Sequence, residues 1–188
     1  MKSLIVYAHP WEGSFNNHVK NIVTDLLVTH NKTVQLIDLN KDNFNPVMTA
    51  ADLKLFSKGE YQDKLAQKYV AKLKESDELI LIFPIWWYGE PAILKGFYDK
   101  VLLKHHTYDD SSGTMRGLLN INKATILTTG TIDENMFAHF GNPILNIVAN
   151  GILKSIGVNN VDWIHCPTVH LKEAREQYLT RINNYFNQ

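Results

Sequence analysis

A doubly wound α/β domain built on a parallel sheet is the fold class this sequence predicts, on three observations. Its strand-like segments are mostly near-continuous apolar runs rather than alternating ones, as strands covered on both faces require. Amphipathic helical patterns lie between those runs. The two kinds of segment then alternate from one end of the chain to the other, which within a single sheet implies right-handed crossovers.

The first apolar run, Leu4–Ala8, breaks at His9-Pro10. Ser14 then suits the N-cap of a helix whose apolar face is Phe15, Val19, Ile22, Val23, Leu26 and Leu27, at spacings of three and four. A second run is Val34–Leu39, and Leu65, Tyr69 and Leu73 mark the next helical face. The third run, Leu79–Pro84, stops where proline cannot donate to a sheet ladder, and Pro91 opens a helix over Ala92–Leu103. The fourth run is Ala124–Thr129. A helix over Ile144–Ile156 stops at Gly157, a weaker strand covers Val158–Pro167, and a helix over Leu171–Phe186 closes the chain. There is no internal repeat, so residues 1–188 read as one domain.

Composition narrows the function classes. Nineteen basic and nineteen acidic residues cancel, which argues against a phosphate-backbone binder and hence against nucleic acid as a partner. Cys166 is alone, so neither an internal disulfide nor a CxxC pair is available, and a reducing, cytoplasmic location is expected. The amino-terminal run is too short for a secretory leader or a membrane span. The eight histidines form no metal motif, and the adjacent His105 and His106 read as exposed residues at a helix end.

In a doubly wound sheet ligands sit beyond the carboxyl ends of the strands. After the first run, AHPWEGSFNN offers His9, Ser14, Phe15 and Asn16 at the start of a helix, where backbone N–H groups favour phosphate. The alternative there is an ordinary strand-to-helix turn. The segment lacks GxGxxG and GxxxxGK[ST], so it is neither a dinucleotide fingerprint nor a P-loop. After the third run come Pro84, Ile85, Trp86, Trp87 and Tyr88, either an aromatic wall for a flat heteroaromatic ligand or rings packed under the next helix. After the fourth run, Thr128, Thr129 and Gly130 supply hydroxyls and close backbone approach, or simply a turn. All three segments share one sheet edge, which suits a flavin mononucleotide: phosphate at a helix start, ring on aromatics, pyrimidine end on donors.

These residues resemble the flavodoxin-like NAD(P)H:quinone oxidoreductase family. The likeness is carried by AHP…SFN at His9–Asn16, DLNKDNFNPVMTAADL at Asp38–Leu53, SDELILIFPIWWYGEPAILKGFYDKVL at Ser76–Leu102 and KATILTTG at Lys123–Gly130. It implies a flavodoxin-like, five-stranded parallel sheet in the order 2-1-3-4-5, with helices on both faces. It implies bound FMN or FAD, NAD(P)H as co-substrate, and hydride transfer through the flavin to a quinone-like acceptor in the same slot. His9, Ser14, Phe15 and Asn16 would hold the phosphate and ribityl region. Pro84, Ile85, Trp86 and Trp87 would line the ring, with Tyr88 beside them, and Thr128, Thr129 and Gly130 would take the pyrimidine end. Tyr108 falls where the family places a tyrosine closing over substrate from the partner of a homodimer. The chain departs from larger relatives after TTG, where TIDENMFAHFGNP leaves Phe137 in place of a substrate-side tyrosine and His139 or Asn142 in place of a charge-steadying histidine. Compact members of the family include ancillary subunits of potassium-efflux systems, so a redox-sensing role beside a membrane transporter, without membrane insertion, is one alternative. A flavodoxin-type electron carrier is another, though zero net charge offers no docking face for one.

Overall fold

The computed structural model describes residues 1–187. In chain order the elements are β1 (Lys2–Tyr7), α1 (Phe15–Thr29), β2 (Thr33–Asp38), α2 (Ala50–Phe56), α3 (Lys64–Lys74), β3 (Glu78–Pro84) and α4 (Ala92–Val101). There follow β4 (Tyr108–Asp109), β5 (Arg116–Gly117), β6 (Lys123–Thr129), α5 (Glu134–His139), a π-type helix π1 (Ile144–Leu153), β7 (Val161–Cys166) and α6 (Lys172–Phe186). Five strands form one parallel sheet in the order β2-β1-β3-β6-β7, and β4 and β5 make a separate antiparallel hairpin. This is the expected 2-1-3-4-5 order once the hairpin is set aside.

Alternation along each central strand divides the core. Leu4, Val6, Leu79, Leu81, Phe83, Ala124 and Ile126 pack on one face against residues of α3, α4 and π1, including Tyr69, Phe97 and Val148. Ile5, Tyr7, Ile80, Ile82 and Leu127 pack on the other against Val19, Val23 and Leu27 of α1 and Tyr178 and Ile182 of α6. Burial on both faces is why β3 reads as an unbroken apolar run.

Local signals set the helix starts that aim the site. Ser14 is the N-cap of α1, in extended conformation, and its side chain accepts the Asn17 N–H. Asp63 caps α3 by accepting the N–H groups of Leu65 and Ala66. Thr49 and Asp52 form a reciprocal capping box on α2. The apolar periodicity does not mark α2, α5 or the β4–β5 hairpin, because these short elements bury too few residues to impress a pattern. The helix expected over Ile144–Ile156 is of π type over Ile144–Leu153, a difference that ten residues of periodicity cannot resolve. His106, expected exposed, is half-buried after α4, its Nε2 at 2.7 Å from the Gly59 carbonyl.

Gly96 lets α4 lie directly on the segment before α2. A Cβ added there would meet the Cβ and carbonyl oxygen of Pro46 at 2.3 Å. Gly96→Ala should therefore cost about 1–3 kcal/mol through overpacking, despite the better helix propensity of alanine. A thermal melt checks this, and a melting temperature at or above that of the parent would contradict the close approach.

Candidate functional site

Three loops at the carboxyl edge of the sheet converge on one cleft. It has a volume of about 370 Å³ and is lined by His9, Trp11, Ser14, Phe15, Asn16, Pro84, Ile85, Trp86, Thr129, Gly130, Thr131 and Val169. The loop after β1, the turn after β3 and the end of β6 thus meet as the sequence suggests.

On the α1 side, the amides of Phe15 and Asn16 at the helix start have no protein acceptor, the condition in which a helix amino terminus binds an anion. Asn16 is 4% exposed; its Nδ2 donates to Thr129 Oγ1 at 2.7 Å, while its Oδ1 is buried with no partner. Such an orphan acceptor carries a desolvation cost of about 1–3 kcal/mol unless a ligand meets it. His9 Nδ1 accepts the Trp11 N–H at 3.1 Å, which leaves the ring proton on Nε2 in the neutral form. Burial holds the His9 pKa below the usual histidine value.

The aromatic turn has an unusual backbone. Trp86 N–H donates to Gly89 O at 3.0 Å and Gly89 N–H returns a bond to Trp86 O at 3.1 Å, closing a two-residue turn. Trp87 and Tyr88 at its tip both have positive φ, at 52° and 66°. That is the left-handed pairing of a type I′ turn, which asparagine and glycine adopt readily and bulky aromatics do not. The turn throws the Trp87 side chain outward, 95% exposed, and leaves Trp86 at 47% against the cleft, its ring centroid 6.2 Å from that of His9. Tyr88 leans the other way, 4.5 Å from the Phe140 ring, so it does not line the cleft. The Trp86 amide is committed within the turn, whereas the amides of Trp87 and Tyr88 donate to no protein acceptor.

At the end of β6, neighbouring threonines point to opposite faces. Thr129 turns toward α1 and receives Asn16; Thr128 turns toward α5, is fully buried, and does not line the cleft. Gly130 is a bare floor rather than a donor, because its N–H is committed to Cys166 O and its carbonyl to Val169 N–H. A Cβ there would sit 3.4 Å from both His165 Cε1 and Ile85 Cβ.

The other expected residues lie apart. Phe137 is fully buried, 5.4 Å from Trp163 and 5.2 Å from His165 between ring centroids, and so is core rather than a substrate wall. Asn142 accepts the Leu145 N–H with its side-chain oxygen at the head of π1 and does not line the cleft. His139 is exposed on α5 against the Phe140 ring. Tyr108 lines a different cleft, of about 350 Å³, with Tyr98, Leu102, Met115 and Ile152. Cleft residues that the sequence reading did not single out are Trp11, Thr131 and Val169. Trp11 had a signal in its neighbour: a Cβ at Gly13 would meet its indole at 2.6 Å. Among the described residues, no three His, Cys, Asp or Glu side chains come together as a metal site.

Comparison with known proteins bears on the family and the fold. A family model for the flavodoxin-like fold matches residues 1–186. An uncharacterized NAD(P)H oxidoreductase of Haemophilus influenzae is 30% identical over 175 residues, covering 91% of this chain and 86% of that protein. Human ribosyldihydronicotinamide dehydrogenase [quinone] is 34% identical over 152 residues, covering 70% of this chain, which spans 65% of that protein's length. The crystal structure of an FMN-dependent NADH-azoreductase from Bacillus anthracis, in complex with FMN, superposes with a TM-score of 0.81 at 14% identity. It covers 100% of this chain and 98% of its own, a likeness of fold alone.

Proposed function

The chain belongs to the flavodoxin-like NAD(P)H oxidoreductase and quinone reductase family, and we propose that it binds FMN in the cleft above β1, β3 and β6 and uses it to pass hydride from NAD(P)H to a quinone-like acceptor. It is an oxidoreductase of the NAD(P)H dehydrogenase (quinone) type.

The observation that carries the cofactor assignment is the buried, unpartnered Oδ1 of Asn16, a residue of the cleft wall, together with the free amides of Asn16 and its neighbour Phe15 at the helix start. Acceptor and donors of that kind fit a ligand with an anionic end, hydroxyls and a heteroaromatic edge. A cleft of about 370 Å³ falls within the range of small-ligand pockets. Flavin supplies reversible two-electron chemistry when bound, and the protein supplies binding, orientation and electrostatics. The start of α1 would hold the phosphate beside Ser14. Asn16 and Thr129 would fix the polar chain, Ile85 and Gly130 would give the ring a flat apolar floor, and Trp86 with His9 would close one side. Free amides at the turn act as preorganised donors for charge that develops at the ring edge.

We extend the proposal to a homodimer. Trp87, Met115, Phe140 and Ile147 are large apolar side chains left exposed at 95%, 56%, 51% and 56%. A second copy that covered them would close the acceptor slot. No helix among the described residues is long and apolar enough to cross a membrane. Burial pushes the Cys166 thiol up to about 11, an inert state suited to the reducing cytoplasm we propose.

Steady-state oxidation of NADH and of NADPH with a soluble quinone tests the function. The expected result is turnover with parallel double-reciprocal lines, sustained by FMN. Asn16→Leu, which removes the orphan acceptor, should require about tenfold more FMN for half-maximal rate. No oxidation of either nucleotide with FMN or FAD present would overturn the reading.

A further inference from the structure

Behind the cleft lies a hydrogen-bonded chain that the proposed chemistry does not touch directly. Trp163 Nε1–H donates to Thr128 Oγ1 at 2.8 Å. Thr128 Oγ1 lies 2.8 Å from His165 Nδ1, and His165 Nε2 lies 2.8 Å from the carbonyl oxygen of Ile132. The Ile132 carbonyl only accepts, so it fixes the ring proton, and the other nitrogen of a neutral imidazole is then the acceptor. His165 must carry its proton on Nε2 and accept the Thr128 hydroxyl proton at Nδ1.

The imidazole is closely boxed. It is 1% exposed, stacked on Trp163 at 5.6 Å and met edge-on by Phe137 at 5.2 Å. Burial lowers its pKa; Glu134 opposes that and Arg181 adds to it.

The chain ends on the strip of backbone that borders the cleft. Gly130 N–H is tied to Cys166 O, Gly130 O to Val169 N–H, and Ile132 O to His165 Nε2–H. Thr131, between these ties, lines the cleft, and the amides of Thr131 and Ile132 donate to no protein acceptor. We propose that His165 is a positioning residue: through the Ile132 carbonyl it holds the Thr131–Ile132 peptides against the cleft as ready donors for an electron-rich carbonyl edge of the bound ligand. This rests on the flavin reading above, with the pyrimidine end as that edge.

The test compares the parent protein with His165→Phe, His165→Gln and Thr128→Val. The readouts are FMN dissociation constant by fluorescence quenching, thermal melts without flavin, the reduction potential of bound FMN, and the imidazole tautomer by nitrogen NMR. The parent should show the Nε2–H tautomer from pH 6 to 8. H165F keeps a planar ring but loses the donor, and should bind FMN about tenfold more weakly with a lowered potential. H165Q restores a donor toward Ile132 and should recover most of the loss, while T128V should fall between. If H165F does not fold, T128V and H165Q carry the comparison. A parent that binds FMN while the folded variants match it in affinity and potential would overturn this proposal alone, as would an Nδ1–H tautomer. A parent that binds no flavin would overturn the proposed function and this inference with it.

Discussion

Replacing Trp87 and Tyr88 together by Asn and Gly is expected to make the protein more stable and worse at holding flavin. Both residues sit at positive φ in a two-residue turn, a conformation that costs about 1–3 kcal/mol for a bulky side chain and that asparagine and glycine adopt readily. Trp87 gains nothing in return from packing, since it is 95% exposed. Tyr88 recovers about 0.5–1.5 kcal/mol from its contact with Phe140. Relief of strain at two positions exceeds the loss of one ring contact, so the net gain should be about 1–3 kcal/mol. For a domain of this size that raises the melting temperature by ~2–4 °C per kcal/mol. FMN affinity should fall at least about tenfold, because Trp87 belongs to the exposed apolar surface that a second copy would cover in closing the slot over the flavin. Melting and fluorescence titration on the same preparation separate the effects. Lower stability with unchanged affinity would mean that the aromatics are there for packing, and that the turn stores no strain for the site.

Asp63→Ala is the largest stability loss we expect. The Lys100 ammonium is 4% exposed and rests on Asp63 Oδ2 at 2.8 Å and Asn45 O at 2.9 Å. Asp63 also caps α3. Removing the carboxylate strands a buried charge, at about 3–5 kcal/mol, and the cap adds about 1 kcal/mol. Lys100→Met in the same background should recover part of the loss, since the stranded charge is gone. Burial alone would raise the Asp63 carboxyl pKa, but Lys100 and the amides of Leu65 and Ala66 outweigh it and hold it below the usual carboxylate range. A depressed carboxylate contributes stability that is present above its unfolded value and lost as pH falls through the folded one. The parent should therefore lose this increment below about pH 4, and the Asp63→Ala variant should not. Chemical denaturation at two pH values checks both sign and size.

The centre of the sheet was legible because β1, β3 and β6 are buried on both faces. Unbroken runs such as Leu79–Pro84 carry their own signal, and only one or two terminal residues shifted. The converging loops followed from topology, since strand ends in a doubly wound sheet face one edge. What was not legible is where each side chain at that edge turns. Thr128 and Thr129 are equivalent as letters, yet strand alternation sends one into the α5 face and the other to Asn16. Phe137 looked available because TIDENMFAHFGNP has no clear period, and α5 is held mainly by the Asp133 cap. His165 gave no motif at all: its role is set by contacts 33 and 37 residues away in sequence. The hydrogen bonds that close the Trp86–Gly89 turn, and the amides they leave free, belong to backbone geometry that no residue pattern prints.

The cleft is proposed to hold FMN, which takes electrons there from a nicotinamide nucleotide. The most direct measurement is the visible spectrum of the purified protein loaded with FMN, freed of excess by gel filtration and then mixed anaerobically with NADH or NADPH. Retained flavin absorbance that bleaches on adding the nucleotide and returns on adding a quinone is the predicted result. A protein that elutes colourless after loading with FMN, and again with FAD, would contradict it.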